Sequence, residues 1–244
     1  MITPFTPAAA RRSRRLAGGA LLAAVTIGTP SALVAQVGYK PDQSPYEDVK
    51  IGQSVSFSGG WLAFKRDLAG VAPEAAPFAQ LRYDAAVGGP AMLYARYTLA
   101  PTQRTLLAPA AIASARKTGT PSTTMHVVDG GIDIALTGKK TWHHLMPSVA
   151  GGVGIVSDFA SVDSGGYQFG AKFALSYGLG LRYVRPSGIR LRVDMTNFMW
   201  QYEYPDRYFV LATDNTAILT DTRNRTSWRS NWGLSAGVSF PVFR

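Results

Sequence analysis

From Tyr167 to Tyr183 the chain alternates without a break. Tyr167, Phe169, Ala171, Phe173, Leu175, Tyr177, Leu179, Leu181 and Tyr183 form one side, and Gln168, Gly170, Lys172, Ala174, Ser176, Gly178, Gly180 and Arg182 the other. A period of two is the signature of a β-strand, whose successive side chains point to opposite faces. The run is much longer than the roughly 5–6 residues usual in globular sheets and suits a tilted strand that crosses a membrane and projects beyond it. Its apolar side then meets lipid and its small or charged side looks into a lumen.

Seven further segments keep that phase. Val49 to Trp61 sets Ile51, Val55, Phe57 and Trp61 against Lys50, Gly52, Ser54, Ser56 and Ser58; Phe78 to Ala85 sets Leu81 and Tyr83 against Gln80, Arg82 and Asp84. Ala91 to Leu99 sets Leu93, Ala95, Tyr97 and Leu99 against Tyr94, Arg96 and Thr98; Thr124 to Leu136 sets Val128, Ile132 and Ile134 against Asp129, Gly131 and Asp133. Leu145 to Ile155, Ile189 to Met199 and Ser230 to Val242 complete the set. The spacing predicts an all-β fold, an antiparallel transmembrane β-barrel of eight strands.

Connection lengths support that count. Turns at Val87 to Pro90, Thr137 to Thr141 and Arg185 to Gly188 alternate with long stretches at Lys65 to Pro77, Pro101 to Thr123, Asp158 to Gly166 and Gln201 to Thr226. Barrels of this kind keep short turns on the periplasmic side and long loops outside, which places both termini in the periplasm. Two segments stay open. Tyr208 to Leu219 is either a hairpin above the membrane or a further membrane pair, and Leu106 to Ala115 is either a short helix or an apolar loop patch.

The outward set carries Trp61, Tyr83, Tyr97, Tyr167, Tyr177, Tyr183 and Trp232, rings suited to the lipid headgroup level. The inward set carries Lys50, Arg82, Arg96, Lys172, Arg182, Arg190, Arg192 and Arg229 facing Asp84, Asp129, Asp133 and Asp194. Lone buried charges are costly whereas a connected network is tolerated, so the expectation is a filled lumen with a positive surplus. Inward glycines such as Gly152 and Gly180 make room for the long basic chains.

Composition narrows the function classes. Four arginines of the formal net charge of +10 belong to the first 35 residues; the roughly +6 that remains lies at alternate strand positions instead of a block or stripe, which argues against nucleic acid as a partner. There are no cysteines, hence no disulfide or thiolate metal site. Arg11, Arg12, Arg14 and Arg15, the uncharged run Leu16 to Val34 and small Ala35 have the layout of a secretory signal peptide. The expected organisation is a cleaved leader at 1–35, a periplasmic amino-terminal segment at 36–48 and the barrel domain at 49–244.

Candidate chemistry is sparse. His143 and His144 are adjacent, so on a strand they point apart; with His126, Asp129 and Asp133 they match no metal spacing, and no cofactor is expected. Lipid hydrolysis on the outer wall needs a histidine beside a hydroxyl, and His126 with Ser122 or Thr124 is the nearest arrangement. Arg66, Arg116, Lys117, Asp206, Arg207 and Arg223 are candidate loop groups for an extracellular ligand.

The stretch Tyr177-Gly178-Leu179-Gly180-Leu181-Arg182-Tyr183-Val184-Arg185-Pro186-Ser187-Gly188-Ile189-Arg190-Leu191-Arg192-Val193-Asp194 resembles the glycine-rich strand, short turn and basic-acidic strand of the small eight-stranded outer-membrane proteins of the OmpA/OmpX-like superfamily. The resemblance implies a multi-pass barrel in the outer membrane of a Gram-negative-type cell. Its partners would be membrane lipids, with envelope chaperones and the insertion machinery during assembly. Such barrels end on an outward aromatic, and here Phe243 is one residue out of phase with Trp232, Leu234, Val238 and Phe240; a bulge near Pro241 would restore it. The expected role is a non-enzymatic structural barrel with a filled polar lumen. Alternatives are loop-mediated adhesion or ligand binding, a lipid-modifying enzyme, and a narrow anion-preferring pore.

Overall fold

The structure, a computed structural model, describes residues 44–50, 52–185 and 189–243. The expected leader lies outside the described residues, as do the Pro186 to Gly188 turn residues and Ile51. The described residues form twelve strands: β1 (Tyr46–Asp48), β2 (Gln53–Ala63), β3 (Ala76–Gly88), β4 (Ala91–Gln103), β5 (Leu106–Leu107), β6 (Lys117–Gly119), β7 (Ser122–Ala135), β8 (Lys140–Trp142), β9 (Leu145–Ser157), β10 (Ala171–Val184), β11 (Arg190–Glu203) and β12 (Thr226–Phe243).

The eight long strands, all but β1, β5, β6 and β8, form one antiparallel sheet in the order β9-β10-β11-β12-β2-β3-β4-β7, and the β7–β9 pairing joins its two edges. Closure is what lipid demands: hydrocarbon offers no hydrogen-bond partner, so every strand needs a neighbour on both sides. The fold is therefore an eight-stranded antiparallel transmembrane barrel.

Register turns the period of two into two surfaces. Along β10, Leu181 is 41% exposed while Arg182 is 4% exposed, and the contrast repeats around the wall with Phe57, Leu93, Ile132, Val153, Val193 and Leu234 outward. A continuous apolar belt of this size is untenable in water and is what a lipid-facing wall requires. Asn197 interrupts that wall. It lies in register between Tyr177 and Trp232, whose rings meet edge-on at 6.0 Å, and its amide donates to Ser230 Oγ at 2.5 Å. Asn197 is fully buried, which gives the central Tyr177 a structural role, since its ring helps to cover a polar pair that would otherwise touch acyl chains.

The strand ends at Gly88/Ala91, Ala135/Leu145 and Val184/Arg190, joined by short connections, gather at one end of the barrel, and the long connections (64–75, 104–121, 158–170 and 204–225) lie at the other. The amino-terminal β1 adds to the short-turn end by pairing with β8, Tyr46 opposite Trp142, a contact the alternation does not foretell. At the carboxyl end the register against β2 shifts between Pro241 and Phe243. That shift is the bulge expected from the phase of Phe243.

Several expectations are corrected. The Tyr167 strand begins only at Ala171, because Gly166 and Gly170 take positive φ (+81° and +65°) and turn the preceding segment over the barrel mouth. Tyr167 and Phe169, expected to face lipid, are 1% and 2% exposed inside. The first long strand runs from Gln53 instead of Val49. Tyr208 to Leu219 contains no strand among the described residues, which removes the ten-strand count; it starts as a 3-10 turn at Asp206–Phe209. Leu106 to Ala115 is neither alternative alone: β5 pairs with β6 around a 3-10 turn at Ala113–Ala115. His143 and His144 sit in a left-handed turn at φ +48° and +65°, not on a strand.

Replacing Gly170 with valine forces a branched side chain into left-handed backbone and is expected to cost about 1–2 kcal/mol. Guanidinium unfolding in lipid vesicles reads this. Gly151→Ala, where an added Cβ meets open space, serves as the control and should stay within about 0.5 kcal/mol of the parent.

Candidate functional site

Three layers fill the lumen. Nearest the short turns, Ala135, Met146 and Val184 pack with Val49. The middle layer is ionic, built from Arg82 and Asp84 on β3, Arg96 on β4, Asp129 and Asp133 on β7, Arg182 on β10, and Arg192 and Asp194 on β11, all buried. Some of the pairs run along one side, within β3, within β11 or between neighbouring β4 and β7, while Arg182 and Arg192 reach from β10 and β11 across to Asp133 on β7 and, for Arg192, to Asp84 on β3.

Asp133 is the hub. One oxygen, Oδ2, accepts from Arg82 Nη2 at 2.5 Å, Arg182 Nη2 at 2.7 Å and Arg192 Nη2 at 3.1 Å. Asp84 accepts from Arg82 Nε at 2.9 Å and from Arg192 Nη1 at 3.3 Å, while Arg192 Nε also donates to Asp194. A second group centres on Asp129. Arg96 grips it with Nε at 2.8 Å and Nη2 at 2.6 Å and gives Nη1 to Thr196, and Ser176 donates to Asp129 at 2.6 Å. The Tyr94 ring joins the two groups, with Arg82 Cζ 4.1 Å and Arg96 Cζ 5.3 Å from its centroid. Bidentate geometry and extra acceptors are the conditions under which buried charges are tolerated.

Four arginines face four aspartates, so the buried knot is neutral. The expected positive surplus is absent from it because the other four cations lie elsewhere: Lys50 is exposed, and Lys172, Arg190 and Arg229 are half-buried. Arg190 donates to the Lys50 carbonyl at 3.3 Å, and Lys172 stands 5.9 Å from the Phe169 ring. Small residues supply the space. A Cβ on Gly152 would fall 2.4 Å from Tyr94 Oη, and one on Gly180 would fall 2.7 Å from Asp194 Oδ1 and Ser148 Oγ.

The third layer is aromatic. Phe198, Trp200, Tyr202, Tyr204, Tyr208, Tyr167, Phe169, Phe78 and Leu62 form one buried cluster at the long-loop end. Sequence reasoning missed it, although a signal was there: Phe198, Trp200 and Tyr202 occupy the same inward phase as Arg192 and Asp194. Arg104 and Asp67 tie the cluster to the loops. Arg104 pairs with Asp163 at 2.8 Å and lies over the Tyr167 ring at 5.4 Å, and Asp67 accepts from the Tyr204 hydroxyl at 2.8 Å. Burial pushes the pKa values of Tyr167, Tyr204 and Tyr208 well past the ordinary tyrosine value, keeping their hydroxyls neutral.

Above the plug the loops are stapled. Arg116 donates to the carbonyls of Thr216 (2.6 Å), Ala217 (2.9 Å) and Ala111 (3.2 Å), and Asp214 accepts from the Ala113 amide at 2.8 Å. Hydrogen bonds from the Thr216 hydroxyl and the Ala113 amide hold the Asp214 carboxyl down at about 2. Of the other loop candidates, Arg66, Lys117 and Arg223 are exposed, Asp206 pairs with Arg225 at 2.5 Å, and Arg207 lines a recess in the cap. On the outer wall His126 Nδ1 lies 2.7 Å from Tyr97 Oη, and neither Ser122 nor Thr124 bonds to it. His144 Nδ1 lies 3.1 Å from Glu47 Oε2. No three His or acidic groups converge as metal ligands among the described residues.

No protein-family model matches the sequence, and no curated protein matches it either. Among solved structures, the outer membrane protein OprG from Pseudomonas aeruginosa aligns over 79% of this chain and 97% of its own, with 10% identity and a TM-score of 0.50. The chain folds as an outer-membrane-type barrel. Neisserial surface protein A aligns over 78% of this chain and 97% of its own at 14% identity and a TM-score of 0.48. Ail of Yersinia pestis aligns over 78% and 100% at 15% identity and 0.34. At such identities the likeness describes the fold and leaves the role open.

Asp133→Asn removes the charge shared by three arginines and is expected to lower the unfolding free energy by about 3–5 kcal/mol, read by guanidinium titration in lipid vesicles. The Asp214 contact has a pH signature. A carboxyl held below its ordinary value of 3.8 keeps its contacts as pH falls past that value and loses them only near 2. The Ala113 amide resonance should therefore titrate near 2 and not near 3.8, and Asp214→Asn should abolish that titration.

Proposed function

We propose that the protein is a non-enzymatic structural barrel of the outer membrane, closed to ions, that holds an ordered loop cap at the cell exterior. In this reading the leader at 1–35 is removed on export, residues 36–48 and the short turns face the periplasm, and both termini lie there. Membrane lipids contact the apolar belt, and envelope chaperones and the insertion machinery handle the chain before it closes.

The observation that carries the reading is the two-part filling of the lumen. A neutral ionic knot and an aromatic plug occupy successive levels of the bore, and Arg82 and Trp200, one from each, are 1% and 0% exposed. An eight-stranded lumen is just wide enough for side chains, so side chains of this size leave no aqueous path. His126 is engaged by Tyr97, and no bond to Ser122 or Thr124 forms among the described residues, so the hydroxyl–histidine arrangement expected for lipid hydrolysis is not assembled there, which supports a non-enzymatic role.

Planar-bilayer recording tests the seal. The parent protein and Trp200→Ala should both stay silent, because the knot remains in the latter, whereas Trp200→Ala combined with Arg82→Ala and Asp133→Ala should conduct. Stable ion-selective openings from the parent would overturn the reading. Orientation is tested separately, since a chain without native cysteine allows single-site labelling. A membrane-impermeant maleimide on intact cells should label Thr220→Cys and leave Lys139→Cys unlabelled; the reverse pattern would invert the proposed topology.

A further inference from the structure

The loop cap contains a recess of about 410 Å³. Its walls come from three connections: Ala108, Pro109 and Ala110 from the β4–β7 loop, Ser164 from the β9–β10 loop, and Val210 and Leu211 from the β11–β12 loop. Arg207 stands at its edge. Two of its lining residues, Arg207 and Val210, flank Tyr208, which is itself buried in the aromatic plug.

Three properties make it a built site. The volume falls in the range of small-molecule pockets, about 300–1,000 Å³. The walls are apolar and wet: Val210 and Leu211 are 61% and 63% exposed, a cost that a bound apolar chain would relieve. The walls are also fixed in advance. Arg116 bonds the first loop to the third through Thr216 and Ala217, and Arg104 holds the second through Asp163, so little ordering remains to oppose binding.

Charge then selects the ligand. The guanidinium of Arg207 makes no hydrogen bond or ion pair among the described residues, and its stem passes over Gly166, where a Cβ would lie 3.5 Å from Arg207 Cδ. The acids nearby are already engaged: Asp206 with Arg225, Asp163 with Arg104, and Asp214 with Thr216 and Ala113. An uncompensated planar cation beside an apolar trough matches a molecule with one anionic head and one hydrocarbon chain. We infer that this recess binds a single-chain carboxylate amphiphile of the fatty-acid type, taken up as a monomer from the surrounding water, with the head on Arg207 and the chain against Val210, Leu211 and Pro109. This goes beyond the structural role, which holds whether or not the recess is filled.

The test uses the full barrel in phosphatidylcholine nanodiscs, where both ends are open to solution and the outcome is independent of orientation. Octanoate and octylammonium, equal in chain length and opposite in charge, are titrated while amide resonances of residues 207–213 are followed. Octanoate should saturate these shifts at a concentration at least about tenfold lower than octylammonium. Arg207→Gln should weaken octanoate about tenfold and erase the preference, and Leu211→Ser should weaken both probes. Unchanged strand resonances in each variant certify folding. Equal affinity for the two probes, an octanoate affinity untouched by Arg207→Gln, or shifts confined to wall residues such as Leu179 and Leu234 would each overturn the assignment. Repeating the titration with phosphatidylglycerol in the disc separates sources. Unchanged octanoate binding supports uptake from water, and loss of binding through competition overturns it in favour of the bilayer. Failure here leaves the silent lumen standing, and a conducting lumen would leave the recess untouched.

Discussion

Everything inside this barrel is arranged around one electrostatic requirement: charges withdrawn from water into a bore too narrow to hydrate them must neutralise one another. Four arginines and four aspartates meet it, some along one wall, as Arg96 with Asp129 on neighbouring β4 and β7, and some across the lumen, as Arg182 on β10 and Arg192 on β11 with Asp133 on β7. The pairs from Arg182 and Arg192 to Asp133 and from Arg192 to Asp84 are thus also struts between strands that are not neighbours in the sheet. The lipid outside imposes the matching constraint on the backbone, since an open sheet edge would leave donors and acceptors bare. Closure fixes the phase of every strand, and the phase decides which side chains must be satisfied within.

Packing follows from that need. Arginine is long, so its neighbours must be small; Gly152 and Gly180 stand where Tyr94 and Asp194 leave no room for a Cβ. Toward the long loops the ionic layer gives way to aromatic rings, which are hydrophobic enough to seal the mouth. Arg96 links the two layers, its guanidinium 4.8 Å from the Phe198 ring. The seal is therefore continuous in contact although it changes in chemistry from one level to the next. The loops above are ordered by the same device used inside, an arginine that satisfies several acceptors at once.

Much of this is legible in the residues because period two is a local property. The strand number, the lipid-facing row and the inward direction of Arg82, Asp133 or Arg192 are written in alternation. Depth is not. Lys50, Lys172, Arg190 and Arg229 share the inward phase, yet Lys50 precedes β2 and the others fall within the first four residues of their strands, away from the ionic layer, and alternation carries no coordinate along the barrel axis. Tyr167 misleads for a related reason: the pattern runs on past Gly170, but one positive φ reverses the direction of everything before it. The aromatic plug escapes notice because inward Phe198 and Trp200 look out of place on a face read for charge. The stapled cap depends on residues about a hundred positions apart, such as Arg116 and Thr216, and no spacing rule connects them.

The sharpest measurement is a double-mutant cycle on Arg96 and Asp129, with the unfolding free energies of Arg96→Ala, Asp129→Ala and the double variant compared in lipid vesicles. If mutual neutralisation holds the interior together, the double variant loses less than the sum of the singles, with a coupling of about 1–3 kcal/mol. Additive losses would mean that the two groups do not sense each other, and the ionic interior would not be what the barrel is built around.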